Sequence, residues 1–180
     1  MSYCEYCVSP NAKEVHLHYH NNEYGFPLYS DNELFGRLIL EINQAGLSWE
    51  IILNKRKYFE LAFDGFHIDR VANYGEKERE RLLQDTGIIR NRLKINAAIY
   101  NAQQILQIQQ EFGSFKEWLD SLHPKSKEEW VKIFKKRFKF VGGEIVNEFL
   151  MSTGYLPGAH VESCPIFDRV KVAKPKWMEV

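Results

Sequence analysis

From residue 34 to residue 53 the chain reads LFGRLILEINQAGLSWEIIL, and apolar side chains return at every third or fourth position. At about 100° per residue this is a helical period. It predicts a helix with Asp31 as its cap that runs to Gly46, then a tight turn. A second helix, capped by Ser48, follows from Trp49 to about Phe63, with Gly65 just beyond it. The same period predicts helices from His67 to Asn73, Glu76 to Gln84, Asn91 to about Phe112, Ser114 to Leu122, Ser126 to Arg137 and Gly142 to about Ser152. The expected fold class is all-α. Only the ends, about residues 1–30 and 155–180, lack the period, and termini without structure of their own need something to fasten them.

One position breaks the pattern. Leu34, Leu38, Glu41 and Ala45 fall within about 60° of one another on the first of these helices, so Glu41 occupies the middle of the apolar face. A carboxylate buried without a partner costs several kcal/mol, so either a basic side chain neutralises it or it is kept for a purpose.

The bulk numbers bound the answer. At 180 residues a single domain over 1–180 is expected, with no linker, repeat or low-complexity segment to divide it. Lys plus Arg at 24 equals Asp plus Glu at 24, so any surface for nucleic acid must be a local patch. The start, MSYCEYCVSPNAKEVHLHYH, is polar, and no apolar run is long enough for a membrane span; a soluble, cytoplasmic protein is expected. Three cysteines make no even disulfide framework, and near histidines they read first as metal ligands.

Metal-ligating candidates sit at the two unanchored ends. Cys4, Cys7, His16, His18 and His20 lie at the front, and His160 and Cys164, in HVESC, at the back. Two cysteines and two histidines drawn from both ends would close a tetrahedral zinc shell and tie the termini together. Such a shell leaves no open position for water, so the zinc would be structural. Near Glu41 in the sequence stand Tyr19, Tyr24 and Trp49, and aromatic faces around one anionic acceptor suit a flat cationic ligand. Farther on, QDTGIIRNRLKI places Gly87 between two helices, with Arg90, Arg92 and Lys94 at the start of the second. A glycine hairpin of this kind can present backbone N–H groups to a phosphate, and Lys55, Arg56, Lys57, Lys135, Lys136, Arg137 and Lys139 could extend the basic face.

The blocks YHNNEYG, LEINQAGLSW, GIIRNRLKI, FKFVG and HVESC, in that order, resemble the bacterial DNA-3-methyladenine glycosylase I family over almost the whole chain. The resemblance implies an all-α fold of the helix-hairpin-helix glycosylase superfamily, removal of 3-methyladenine from alkylated double-stranded DNA, and one structural zinc per chain. By matched position the zinc ligands are Cys4, His20, His160 and Cys164, which leaves Cys7, His16 and His18 outside the shell. Glu41, Tyr19 and Trp49 correspond to the residues that read the flipped base. Tyr24 stands beside them, where the family usually has tryptophan. Leu47, next to Gly46 in the turn between the first two helices, matches the position that plugs the vacated duplex. The superfamily's catalytic aspartate after the hairpin has no counterpart here, so Glu41 is the catalytic candidate. Asn21 replaces the usual aspartate, Tyr6 lies near another frequent tryptophan, KRFKFVG lacks a common glycine, and the segment from about Leu119 to Lys132 is short.

The expected function is that of a monofunctional, monomeric base-excision glycosylase. The alternative is a non-catalytic, zinc-stabilised module that recognises distorted DNA. A plainer reading makes Glu41 half of a buried ion pair.

Overall fold

Eleven α-helices and two 3-10 turns, with no strand among the described residues, form the computed structural model, which describes residues 2–179. In chain order they are α1 (Tyr3–Cys7), α2 (Glu14–Asn22), α3 (Asp31–Gln44), α4 (Trp49–Ala62), α5 (Ile68–Ala72), α6 (Glu76–Gln84), α7 (Arg92–Phe112), α8 (Phe115–Leu122), α9 (Lys127–Arg137), α10 (Gly143–Ser152) and α11 (Phe167–Val172). The 3-10 turns cover Asp64–Phe66 and Lys176–Met178.

The arrangement is centred on α3, which touches α4, α7, α8 and α10 and is buried at every residue from Leu34 to Asn43. A helix enclosed on all sides must bury its polar positions along with its apolar ones. That is why Arg37, Glu41 and Asn43 lie inside. Around α3 a continuous core is filled by large rings, among them Phe35, Phe59, Phe63, Phe115, Trp130, Phe134 and Phe149, all fully buried.

Most helix starts follow the expected chemistry. The side chains of Ser48, Asn91, Ser114 and Ser126 each accept a backbone N–H from the first turn of the helix they precede. Asp31 differs from the expectation. It is the first residue of α3, not its cap, and its carboxylate accepts the N–H groups of Phe115 (2.8 Å) and Lys116 (3.0 Å) and the side-chain amide of Gln109 (2.7 Å). A carboxylate at the start of α8 meets unpaired N–H groups and the positive end of that helix, so Asp31 caps its neighbour instead of its own helix.

The ends are helical too, contrary to the expectation of irregular termini. The buried face of α2 consists of His16, Tyr19 and His20, spaced as i, i+3 and i+4. A period built from histidine and tyrosine is invisible to a search for aliphatic residues. The remaining terminal helices, α1 and α11, are five and six residues long, too short to show a period at all. Both termini carry separate small apolar clusters, one around Cys4, Cys164, Ile166 and Val170 and one around Tyr19, Tyr24 and Leu53.

Candidate functional site

The sequence between α3 and α4 builds a tight turn. Gly46 adopts φ +83°, a left-handed conformation that disfavours any side chain, although there is free space around it. The turn is closed by Leu47 N–H donating to the Gln44 carbonyl (2.7 Å) and by the Gln44 side-chain amide donating to the Leu47 carbonyl (2.8 Å). Leu47 is thereby fixed at the tip, half-buried against the core.

Beside this turn opens a cavity of about 400 Å³ lined by Tyr3, Tyr19, Tyr24, Glu41, Gln44, Trp49, Glu144 and Glu148. The sequence-predicted Tyr19, Tyr24, Glu41 and Trp49 thus converge on one space. The Tyr19 ring lies 5.2 Å from Trp49 and 5.5 Å from Tyr24, while Tyr3 meets Tyr24 edge-on at 5.5 Å. The indole N–H of Trp49 is buried and unpartnered. Such an orphan donor costs about 1–3 kcal/mol unless something accepts from it.

Within this box Glu41 is 4 % exposed. Among the described residues it makes no ion pair: Arg37, one turn earlier on α3, donates to the Tyr19 hydroxyl (3.2 Å) and the Ser152 carbonyl (3.3 Å) and lies 3.5 Å from Glu23. Burial raises the Glu41 carboxyl to about 8; the charge of Arg37 and the nearby Ser152 hydroxyl pull it down, and Glu148 pushes it further up. The plain ion-pair reading of Glu41 therefore has no partner to name. Burial also raises the hydroxyls of Tyr19 and Tyr24 well above the phenol range, so both remain neutral hydrogen-bonding groups.

Four lining residues escape the sequence reading. Tyr3, and not the neighbouring Tyr6, supplies the edge-on ring. Gln44 reaches the wall from the last turn of α3, and Glu144 and Glu148 arrive from α10. Glu148 gave no signal in the sequence: on α10 it stands to the side of the buried stripe of Val146, Phe149 and Leu150, where an acid is ordinary.

The hairpin region divides the basic candidates. Gly87 donates its N–H to Asp85 (2.8 Å) and packs so near Tyr58 that a Cβ would come within 3.0 Å of that residue's own Cβ. Its carbonyl and that of Thr86 both accept from Lys55 (3.1 Å each). Arg90 and Arg92 are exposed, Arg92 within 3.4 Å of Glu76. Lys94 faces inward, with its ammonium donating to the Asn43 (3.0 Å) and Ala45 (2.8 Å) carbonyls at the end of α3, and burial lowers its pKa. It is not placed to meet a phosphate. Arg56 is bound by both oxygens of Glu23, Arg137 is paired with Glu111, and Lys139 sits over the Tyr100 ring.

At the junction of the two termini, Cys4, His20, His160 and Cys164 are all buried, with their ligand atoms within 4.8 Å of one another. Cys164 Sγ lies 3.6 Å from His20 Nε2 and 3.5 Å from His160 Nδ1, and Cys4 Sγ lies 3.7 Å from His160 Nδ1. Zinc bonds of about 2.3 Å to sulfur and about 2.0–2.1 Å to nitrogen at a tetrahedral angle give a sulfur–nitrogen edge of about 3.5 Å, so the spacing fits. The second nitrogens fit as well. His160 Nε2 donates to the Tyr24 carbonyl and His20 Nδ1 to the Asn21 side-chain oxygen, both at 2.7 Å. Each ring then offers its other nitrogen to a metal. The group can therefore hold a metal ion. Outside it, His16 bonds the Tyr3 hydroxyl, His18 is exposed near Glu23, and Cys7 is buried beside Tyr3.

A family model described as methyladenine glycosylase matches residues 9–134. The chain is similar to DNA-3-methyladenine glycosylase 1 of Escherichia coli, at 35 % identity over 89 % of this chain and 95 % of that protein. It is also similar to a DNA-3-methyladenine glycosylase of Haemophilus influenzae, at 29 % over 88 % and 96 %. Among solved structures, 3-methyladenine DNA glycosylase I from Staphylococcus aureus superposes with a TM-score of 0.82 at 32 % identity, covering 92 % of this chain and 97 % of that one. A single-residue variant of a 3-methyladenine DNA glycosylase I, solved in complex with 3-methyladenine, superposes with a TM-score of 0.81 at 31 % identity, with the same coverage.

Proposed function

The chain belongs to the methyladenine glycosylase family, and we propose that the aromatic cavity around Glu41 is where a base extruded from alkylated DNA is read and released. The activity is hydrolysis of the N-glycosidic bond of 3-methyladenine, the first step of base excision repair. In this reading residues 1–180 form one glycosylase unit, monomeric and cytoplasmic, acting on double-stranded DNA. No helix among the described residues is long and apolar enough to cross a membrane.

The observation that carries the reading is a buried carboxylate without an ion pair in a box of four aromatic rings. Adenine alkylated at N3 is cationic while attached to the sugar and leaves as a neutral base, so its bond is already weakened. Extrusion, recognition and orientation remain for the protein to supply. The rings of Tyr19, Tyr24 and Trp49 offer flat faces to the base, and its charge favours the ionised form of Glu41. As the bond breaks, positive charge passes to the sugar, and the same carboxylate stabilises it and orients water. Leu47 at the tip of the Gly46 turn fills the vacated stack. The hairpin at Gly87, with Arg90 and Arg92, holds the phosphates.

Cys4, His20, His160 and Cys164 hold one structural zinc in this reading, supported by the sulfur–nitrogen spacing and the two fixed imidazoles. The metal supplies no chemistry to the reaction; it fixes α1 and α2, which carry Tyr3 and Tyr19 into the cavity.

Chromatography of bases freed from methylated duplex DNA tests the function. Release of 3-methyladenine by the protein, with sharp loss in Glu41→Gln, is expected. Retention of DNA without any freed base would favour a non-catalytic recognition module.

A further inference from the structure

The first helix carries two cysteines on one face. Cys4 and Cys7 stand at i and i+3 of the five-residue α1, and both are buried. Cys4 belongs to the Cys/His group, whereas Cys7 lies outside it, beside Tyr3 and within electrostatic reach of both Cys4 and Cys164. All three thiols of the chain are thus gathered in one place. Packing alone asks for no sulfur at position 7, since any small apolar side chain fills a buried place. Three residues of α-helix rise about 4.5 Å and return to within about 60° of the start, which sets the two Cα atoms about 5 Å apart. A disulfide closes over Cα separations of about 4.4–6.8 Å, so the pair is within range.

We infer that Cys7 is the resolving thiol for Cys4: when peroxide oxidises Cys4, Cys7 closes a Cys4–Cys7 disulfide on α1 and keeps the damage reversible. The inference goes beyond the glycosylase activity and rests on the zinc reading only for the ionised form of Cys4. A thiol that ligates a metal is deprotonated, and the thiolate is the form that attacks an oxidant. The Cys4 sulfur takes one oxygen of hydrogen peroxide as the O–O bond breaks, giving a sulfenic acid and hydroxide. The Cys7 sulfur then attacks the Cys4 sulfur, the S–O bond breaks, and the hydroxyl leaves as water with the Cys7 proton. The two sulfurs lose two electrons and the peroxide gains them. Cys4 is no longer available as a ligand until a dithiol reduces the pair.

The short helix also explains how an oxidant reaches buried sulfur. α1 is the first helix of the chain, its main helical partner is α2, and terminal elements of this size open at low cost. When α1 lifts, Cys4 and Cys7 leave together, while Cys164 stays behind at the start of the last helices. Cys7 is therefore the thiol that remains in reach. Without it the sulfenic acid goes on to sulfinic acid, which a dithiol does not reverse.

The test treats the full chain with hydrogen peroxide and compares it with Cys7→Ala and Cys7→Ser. Free thiols, zinc captured by a coloured chelator and intact mass are followed. The unmodified protein should lose two thiols and about 2 Da, and release its metal. An endoproteinase that cuts after glutamate cleaves at Glu5, between the two cysteines, and the fragments should stay joined until a dithiol is added. Dithiol with zinc should then restore the metal content. Both variants should match the unmodified protein in circular dichroism and in metal content before oxidation. After it they should gain about 16 or 32 Da and retake less than about a tenth of the metal. Thiols that resist peroxide, a cross-link between Cys4 and Cys164, oxygen gained with Cys7 still free, equal recovery in the variants, or metal missing from them at the outset would each overturn the inference. Zinc content of the reduced protein judges the metal site separately, because mass and cross-link are read with or without metal.

Discussion

The ammonium of Lys94 lies 2.8 Å from the carbonyl oxygen of Ala45, so the helix that leaves the glycine hairpin grips the backbone immediately before the Gly46–Leu47 turn. With the Asn43 carbonyl as its second acceptor, this one side chain joins the segment proposed to hold phosphate to the segment proposed to enter the duplex. Replacing it by methionine keeps the stem and strands two carbonyls, each at a cost of about 1–3 kcal/mol if water does not reach it. Lys94→Met should lower the melting temperature and slow single-turnover base release. The salt dependence of DNA binding should stay unchanged, because the ammonium is already occupied. A flattened salt dependence would return Lys94 to the DNA face.

The exposed pair behaves oppositely. Arg90→Ala and Arg92→Ala are expected to leave the melt unaltered and to weaken binding to every DNA sequence, with the log–log salt slope falling by about one for each phosphate no longer neutralised. Binding measured across a salt series reads this directly, and an unchanged slope in the double variant places the phosphates elsewhere.

Leu47→Ala shortens the tip of a turn whose backbone is held by Gln44. DNA affinity at low salt should be nearly retained while single-turnover release of 3-methyladenine slows, since nothing would occupy the vacated stack. Equal rates for the two proteins would remove the plug.

Glu41→Gln separates reading from folding. The folded-state pKa near 8 lies above the ordinary 4.5, so ionising Glu41 opposes folding: the penalty is absent below about 4.5, grows as the pH rises, and is complete above about 8. The glutamine variant should therefore melt at or above the temperature of the unmodified protein, by a margin that widens from pH 5 to pH 8. Base release should be sharply reduced. Melting curves over that range, paired with single-turnover release, decide the matter; a variant that melts much lower, with full activity in its folded fraction, would make Glu41 structural.

Metal analysis of protein purified without added zinc should find about one zinc per chain and much less in Cys164→Ser. Asn21→Ala removes the acceptor that orients His20, and a loss of about 10–100-fold in metal affinity is expected. Full metal content in Cys164→Ser would displace it from the ligand set.

Much of this was legible from residue order alone, and the misses share a cause. The extent of α6 agrees to the residue with the periodicity, and α4, α7, α8, α9 and α10 agree to within a residue or so, because their buried positions are aliphatic or aromatic and their starts carry Ser, Asn or Gly. The two early helices and the Asp31 contact to α8 were not legible. In α2 the buried stripe is His and Tyr, and Asp31 works across 84 residues of sequence. The cavity was half legible: Glu41 is conspicuous in an apolar run, whereas Glu148 shows its meaning only once α10 is laid against α3.

With a metal ion bound, the Cys/His group would tie down the segments that carry Tyr3, Tyr19 and Tyr24, and those segments have their own small apolar clusters outside the main core. On the proposed zinc site, the molecule divides between a scaffold that keeps its shape through buried rings and a wall of the cavity that would keep its shape through the metal. Withdrawal of a bound metal is expected to loosen that wall first, leaving a protein with its helix content nearly intact and no formed cavity. A chelated sample would then pass a test for folding and fail a test for function, and helix content alone would not report on competence.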